Sequence, residues 1–167
     1  SLAGQRVLVT QSADFMGPAL CEAFAAHGAH VIADGRALDD PTAVEAMARA
    51  AGRVDVLIAN LGVPAPNTHA HEVADAEWRD VFAHLVDPLP RLARALLPAM
   101  IARRAGKIVV MGSATALRGQ RRTSTYSAAR GAQLAWVRAV GAEVAPHNVQ
   151  VNLIAQNFVE NAMYYSP

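Results

Sequence analysis

Short apolar runs alternate with longer amphipathic stretches along the whole chain. The apolar runs lack a helical period and contain β-branched residues, so each one predicts a buried strand. Such runs occur at residues 6–10, 30–33, 54–59, 106–111 and 149–154. Strands that are apolar on both faces are typical of a parallel sheet covered by helices on both sides.

The stretches between these strands predict helices, because their apolar residues recur at helical spacing. The helices are expected at residues 15–27, 41–51, 75–104 and 124–145. Two aspartates precede Pro41, so Asp39 or Asp40 is expected to cap the second helix. The third stretch contains prolines that predict one or more kinks, at positions 88, 90 and 98.

The alternation of strands and helices predicts one doubly wound α/β domain over residues 1–167, with three layers in the order α/β/α. A chain of 167 residues is long enough for a single hydrophobic core. In folds of this kind, ligands bind at the carboxyl ends of the strands. The catalytic and ligand-binding residues are therefore expected among the residues that follow each strand.

Composition narrows the possible functions. The formal net charge of +1 gives no electrostatic footprint for nucleic acid or an anionic membrane, and no apolar run reaches the roughly 18 residues of a membrane span. Cys21 is the only cysteine, which excludes an internal disulfide framework and a cysteine zinc cluster. The histidines show no metal spacing. We therefore expect a cytoplasmic protein with no nucleic-acid partner, no membrane partner and no metal.

The turn after the first strand lacks two glycines that a dinucleotide site needs. It contains Gln11 and Phe15 where the pattern T-G-x-x-x-G-x-G of short-chain dehydrogenases has glycines, when Thr10 and Gly17 are aligned with that pattern. Glycines in this turn allow the backbone to approach a pyrophosphate at a helix N-terminus. A phenylalanine fills the path of the cofactor, and Asp14 adds a negative charge near the phosphate site. The alternative is a divergent loop that still binds a cofactor.

Three polar residues have the spacing of a catalytic set. Ser113 follows the fourth strand, Tyr126 comes thirteen positions later in the first turn of a long helix, and Arg130 lies one helical turn further on the same face. An arginine beside a phenol favours the phenolate, which can act as a general base. A serine hydroxyl at a strand end can hold a substrate oxygen. The alternative for the tyrosine and arginine is a stacked surface contact.

The spacing Ser-x12-Tyr-x3-Lys is the active-site pattern of short-chain dehydrogenases and reductases, and here Arg130 replaces the lysine. Combined with T-x4-F-x-G over residues 10–17, this pattern resembles the halohydrin dehalogenases. These are lyases on the Rossmann-like dehydrogenase fold that bind no nicotinamide. The short span between Asp34 and Val54 looks like the B-type members. The resemblance covers residues 2–167 and implies that no cofactor is used.

The resemblance implies conversion of a vicinal haloalcohol to an epoxide with release of halide and a proton, and the reverse ring opening by small anions. Ser113 would hold the substrate hydroxyl, Tyr126 would remove its proton, and Arg130 would keep Tyr126 anionic or relay the proton. The segment at 159–167 is similar to the dehalogenase halide-binding loop. The residues expected to line the halide and substrate site are Phe15, Gln156, Asn157 and Phe158.

Further expectations follow from the same resemblance. The two long helices predicted for this chain commonly pair across subunits in this superfamily, so a homodimer or homotetramer is expected. Family members continue for several tens of residues, so the domain is expected to lack the last strand and helices. The alternatives are an NAD(P)-dependent short-chain dehydrogenase/reductase and a non-catalytic partner subunit.

Overall fold

The structure, a computed structural model, describes residues 1–159. All of its strands are parallel and form one sheet in the order β2-β1-β3-β4-β5. This arrangement confirms the predicted Rossmann-like α/β fold. The strands are β1 (Arg6–Thr10), β2 (His30–Asp34), β3 (Val56–Ala59), β4 (Gly106–Met111) and β5 (Val149–Ile154).

The helices also follow the predicted pattern, with two differences described below. Short 3₁₀ turns follow β4 and precede β5, at Ala114–Ala116 and Ala145–His147. The α-helices are α1 (Gly17–Ala26), α2 (Pro41–Ala51), α3 (Asp75–Leu85), α4 (Pro88–Ala102) and α5 (Ser124–Val144).

The first difference is at the start of α1, which begins at Gly17 rather than at Phe15. Phe15 has a φ of 53°, which is outside the helical region. The residues before Gly17 instead form a turn, in which the Gly17 N–H donates to the Asp14 carbonyl at 2.8 Å. The amphipathic spacing therefore begins two residues before the helix itself.

The second difference concerns the prolines of the long third stretch, which divides into α3 and α4. Pro88 occupies the first turn of α4, where its missing N–H costs no helical hydrogen bond. Pro98 lies inside α4 and does not end it. The helix continues there because its buried side chains, which include Leu92, Leu97 and Met100, pack against the sheet. Tertiary packing outweighs the local preference at Pro98.

The start of α2 confirms one of the two caps considered. Asp40 Oδ1 accepts a hydrogen bond from the Thr42 N–H at 2.8 Å, and Oδ2 accepts one from the Thr42 hydroxyl at 2.9 Å. These hydrogen bonds lower the pKa of Asp40 below its usual value. Asp40, rather than Asp39, is the cap.

The core lies on both faces of the sheet, and neighbouring β1 residues belong to opposite faces. Leu8 packs with side chains of α2, α3, α4 and α5, whereas Val7 and Val9 pack with Leu20 and Phe24 of α1. Within the described residues, α1 is thus the helix that covers the second face. The chain leaves β1 for β2 on one side and returns to β3 on the other, which creates a crevice at the carboxyl ends of β1 and β3.

Asp55 stabilises the opposite end of the sheet, where β1 and β3 begin. Its carboxylate accepts hydrogen bonds from the Arg6 N–H at 3.0 Å and from Arg53 Nε at 2.9 Å, and Arg103 Nε lies 4.0 Å away. Burial opposes the ionised form of Asp55, but the hydrogen bond from Arg6 and the two guanidinium groups outweigh it and lower its pKa. The ionised carboxylate therefore stabilises the folded state.

We expect Asp55→Asn to lower the free energy of unfolding by about 1–3 kcal/mol at pH 7, because Arg53 and Arg103 lose the charge of the buried carboxylate. The pKa of Asp55 is lowered in the fold, so its contribution is present above the unfolded pKa of about 3.9 and is lost as the pH falls through the folded value. Urea denaturation at several pH values measures the difference. Asp39→Asn, at an exposed aspartate, is the control, and a difference independent of pH would contradict the assignment.

Candidate active site

The loop after β1 has a left-handed backbone at two residues that carry side chains. Gln11 has a φ of 41° and Phe15 a φ of 53°. Residues other than glycine are uncommon in this left-handed region, and each costs roughly 1–2 kcal/mol there. These are the two positions at which the sequence pattern replaces glycine. The loop therefore combines a backbone conformation that suits glycine with two side chains.

The side chain of Gln11 fills the crevice between β1 and β3. Its Oε1 accepts a hydrogen bond from the Gly62 N–H at 2.7 Å, and its Nε2 donates to the Gly62 carbonyl at 3.4 Å. Asn60 Nδ2 donates to the carbonyls of Gln11 and Asp14, at 3.0 and 3.1 Å. The loop is therefore fastened to the segment after β3 by side-chain amides.

The ring of Phe15 covers Gly62. A Cβ atom at position 62 would lie 2.4 Å from Cδ2 and Cε2 of Phe15, so only glycine fits under the ring. Gly17 is required for a different reason, since a Cβ there would lie 2.5 Å from the Gln11 carbonyl oxygen and from backbone atoms of Ser12. Of the glycines in the dinucleotide pattern, the one at position 17 persists because α1 packs closely on the loop.

A cavity of about 30 Å³ lies between this loop and α5. This volume suits one or two water molecules or one monatomic ion. Four of the predicted site residues line it, namely Phe15, Tyr126, Arg130 and Gln156. Its other lining residues are Met16, Asn60, Leu61, Gly62, Val63 and Met111.

Ser113 lies at the end of β4, is buried, and is not among the residues that line this cavity. Its Oγ accepts hydrogen bonds from the Thr115 N–H at 3.2 Å and from the Thr115 hydroxyl at 3.0 Å. A serine hydroxyl has two acceptor sites and one proton, so the Ser113 proton is left to donate. Thr115, two residues further along the chain, thereby orients the Ser113 hydroxyl.

Tyr126 and Arg130 are both buried in α5, and their contact is through the ring of the tyrosine. The guanidinium carbon of Arg130 lies 4.9 Å from the centroid of the Tyr126 ring, which is a cation–π distance. Arg130 Nη1 donates to the carbonyls of Leu61 and Met111, at 3.1 and 2.9 Å, and to Gln133 Oε1 at 3.0 Å. The arginine thereby connects the carboxyl ends of β3 and β4.

The residues after β5 divide into one that faces the cavity and two that do not. Gln156 lines the cavity, and its carbonyl accepts a hydrogen bond from the Ala114 N–H at 2.7 Å. Asn157 is exposed and accepts a hydrogen bond from Arg118 Nη2 at 2.8 Å, while Phe158 is 78% exposed. The structure therefore leaves Asn157 and Phe158 outside the cavity. Except for residue 159, the predicted halide loop lies outside the described residues.

Glu77 of α3 is a residue that the sequence analysis missed. Its carboxylate accepts hydrogen bonds from the hydroxyl of Thr68 at 2.7 Å and from the hydroxyl of Thr125 at 2.8 Å. Thr125 is 1% exposed and precedes Tyr126, and the Thr68 N–H donates to the Arg122 carbonyl at 2.9 Å. Glu77 thus joins the loop after β3 to the start of α5, next to the tyrosine.

Gln133 is the second missed residue, and it is fully buried in α5. Its Nε2 donates to the Leu85 carbonyl at the end of α3, at 2.7 Å, while its Oε1 accepts from Arg130. A polar residue at a core position of a long helix was the available sequence signal. Its partners lie too far away in sequence for the pattern to name them.

In the part of the chain that the structure describes, we find neither a cluster of metal-binding side chains nor a membrane-spanning helix. Residues 1–159 contain no group of three or more His, Cys, Asp or Glu side chains that could hold a metal ion. None of the described helices is both long and apolar enough to cross a membrane.

Known proteins share both the sequence and the fold. A family model described as short chain dehydrogenase matches residues 38–166. The chain is 29% identical over 185 residues to the 3-oxoacyl-(acyl-carrier-protein) reductase FabG of Escherichia coli K12, with 96% of this chain and 75% of the reductase covered. It is 36% identical over 159 residues to galactitol 2-dehydrogenase (L-tagatose-forming) of Cereibacter sphaeroides, with 94% of this chain and 62% of that enzyme covered.

A solved structure has a similar fold over nearly the whole chain. It is described as "Dehalogenation enzyme" and superposes with a TM-score of 0.91 at 28% sequence identity. The superposition covers 99% of this chain and 77% of that one. The similar proteins therefore include both oxidoreductases and a protein named for dehalogenation.

We expect Glu77→Ala to lower the free energy of unfolding by about 1–3 kcal/mol, because the buried Thr125 hydroxyl loses its acceptor. Glu77→Gln keeps an acceptor oxygen and should cost less. Urea denaturation measures both effects. Glu72→Ala is the control, because Glu72 is exposed and its carboxylate lies 3.7 Å from Nε2 of the exposed His71. Equal losses for Glu77→Ala and the control would contradict the joining role.

Proposed function

The chain belongs to the short-chain dehydrogenase family, and we propose that it is a lyase of the halohydrin dehalogenase type. In this proposal it converts vicinal haloalcohols to epoxides with release of halide and a proton, and it catalyses the reverse opening of epoxides by small anions. The observation that carries the proposal is the crevice after β1, which Gln11 and Phe15 fill from within the chain.

The family implies a nicotinamide dinucleotide, and the residues at the crevice do not fit one. Gln11 engages the N–H and the carbonyl of Gly62, and the ring of Phe15 lies on the same glycine. The cavity that remains beside Tyr126 is about 30 Å³, the size of one or two water molecules. This arrangement favours a reaction that uses no dinucleotide.

The proposed mechanism uses Ser113, Tyr126 and Arg130. The Ser113 hydroxyl donates to the oxygen of the substrate alcohol, and the Tyr126 oxygen takes the proton of that alcohol. The substrate oxygen then forms a bond to the neighbouring carbon as the carbon–halogen bond breaks, and the halide leaves with the bonding electron pair. Nucleophile and leaving group belong to one molecule, so the site mainly has to fix their antiperiplanar geometry.

The positive charge of Arg130 serves two parts of this mechanism. It lies against the Tyr126 ring, where it offsets the negative charge that a proton-accepting tyrosine carries. It also lines the small cavity together with Phe15 and Gln156, and we propose this cavity as the place for the leaving halide. The edges of aromatic rings suit a weakly hydrated anion. Asn157 and Phe158 remain proposed substrate contacts, outside the cavity.

The second candidate function is that of an NAD(P)-dependent oxidoreductase. Two observations favour it. The relatives named above are a reductase and a dehydrogenase, and the loop after β1 keeps the left-handed backbone at Gln11 and Phe15 that a glycine-rich turn adopts. For either function we also propose a homodimer or homotetramer in the cytoplasm, with a small molecule as substrate.

We expect the chain to release halide from 1,3-dichloro-2-propanol without added nicotinamide. Tyr126→Phe should lower this rate about 100-fold or more, because general base catalysis contributes factors of roughly 100 to 10,000. Halide release measured at neutral to alkaline pH checks both expectations. Ser124→Ala is the control, since Ser124 is an exposed hydroxyl on the same helix. Absence of release from the folded protein would move the assignment to the oxidoreductase or to a non-catalytic subunit.

We expect no NADH binding by the unmodified chain in the micromolar range. The double variant Gln11→Gly/Phe15→Gly should bind NADH more tightly, because glycine fits the left-handed backbone and its introduction opens the crevice. Fluorescence titration with NADH measures both affinities. Ser12→Gly is the control, because it removes a side chain from the same loop without clearing the crevice. Micromolar binding by the unmodified chain would favour the oxidoreductase.

A further inference from the structure

Arg130 is a buried positive charge with neutral partners. Its side chain is 4% exposed, and all three of its hydrogen bonds go to uncharged oxygens, which are two backbone carbonyls and the amide of Gln133. Its Nε is buried and has no hydrogen-bond partner among the described residues. Within residues 1–159, no carboxylate lies within 4 Å of its guanidinium. A buried charge is costly unless an opposite charge or dense hydrogen bonding offsets it.

The cavity beside Tyr126 is where an opposite charge could be accommodated. Arg130 itself contributes to its wall, and its volume of about 30 Å³ suits one small anion. Among residues 1–159, the remaining lining residues include no carboxylate. The site therefore combines a cation that has no carboxylate partner among residues 1–159 with a space next to it.

Gln133 holds the guanidinium of Arg130 without adding a negative charge. It is fully buried and bridges two groups, because its Oε1 accepts from Arg130 while its Nε2 donates to the Leu85 carbonyl. A glutamate could accept from Arg130 in the same way, but it would neutralise the charge and could not donate to Leu85. An amide meets both partners and adds no negative charge.

We propose that Gln133 is a specificity-determining residue, which positions Arg130 without neutralising it and so makes the cavity beside Tyr126 selective for anions. The proposal rests on the proposed function only for the identity of the anion, a halide. Gln133 does not line the cavity, so it acts through Arg130. Its effect is on the affinity for the anion.

The test is bromide binding by the whole chain. The binding is measured from the broadening of the bromide NMR line at constant ionic strength, with gluconate as the balancing anion. We expect saturable binding to the unmodified chain. Gln133→Glu should weaken it by roughly tenfold or more, because a negative charge then lies within hydrogen-bond distance of the guanidinium. Gln120→Glu is the matched control, because it adds the same charge at an exposed position and should leave the affinity unchanged.

A neutral variant separates charge from shape. Gln133→Leu loses both hydrogen bonds but leaves Arg130 uncompensated, so it should bind bromide more tightly than Gln133→Glu. Circular dichroism confirms that each variant is folded, and Gln133→Met replaces the leucine variant if that one does not fold. Equal losses in the neutral and the acidic variant would show a purely structural role and overturn the proposal.

The remaining outcomes separate this proposal from the proposed function. Bromide binding that depends on Gln133, without halide release from the haloalcohol, supports the anion site and rejects the lyase. Halide release with undiminished bromide binding by Gln133→Glu rejects the role of Gln133 alone. Absence of bromide binding by the unmodified chain also overturns the role of Gln133, and halide release then decides the lyase by itself.

Discussion

The hydrogen bonds of one buried guanidinium fix the geometry of the candidate site. Arg130 Nη1 binds the carbonyl of Leu61 just after β3 and that of Met111 at the end of β4. Buried carbonyls at strand ends need a donor, and Arg130 supplies it from α5. The same side chain supports the ring of Tyr126. Arg130 therefore influences three features of the site: the separation of β3 and β4 at their carboxyl ends, the wall of the cavity and the position of Tyr126.

The loop after β1 holds two residues with side chains in a backbone conformation that glycine adopts most readily. The left-handed conformations of Gln11 and Phe15 are unfavourable for residues with side chains. Hydrogen bonds from the Gln11 amide to Gly62, and packing of the Phe15 ring on the same glycine, offset that cost. The loop is held by contacts that a bound dinucleotide would have to displace. The backbone conformation of the loop is thus coupled to the presence of the Gln11 and Phe15 side chains in the crevice.

Helix α3 contributes to the site without touching the cavity. Glu77 in its first turn binds the hydroxyl of Thr125, and the carbonyl of Leu85 at its end binds Gln133. Both partners belong to α5, one on each side of Arg130 along the helix. Because α5 carries Tyr126 and Arg130, the docking of α3 sets where both side chains lie. The chemistry of the site is local, but its alignment depends on packing between two helices.

The sequence by itself determined the strands, the parallel α/β fold and the spacing of Ser113, Tyr126 and Arg130, because these depend on residues a few positions apart. It also indicated that the turn after β1 departs from the glycine pattern. Only the tertiary structure decided that Arg130 meets the ring face of Tyr126 and that its guanidinium donates to the amide oxygen of Gln133. It likewise decided that Asn157 accepts a hydrogen bond from Arg118 outside the cavity. Such contacts join residues distant in sequence, whose meeting depends on how the helices pack on the sheet.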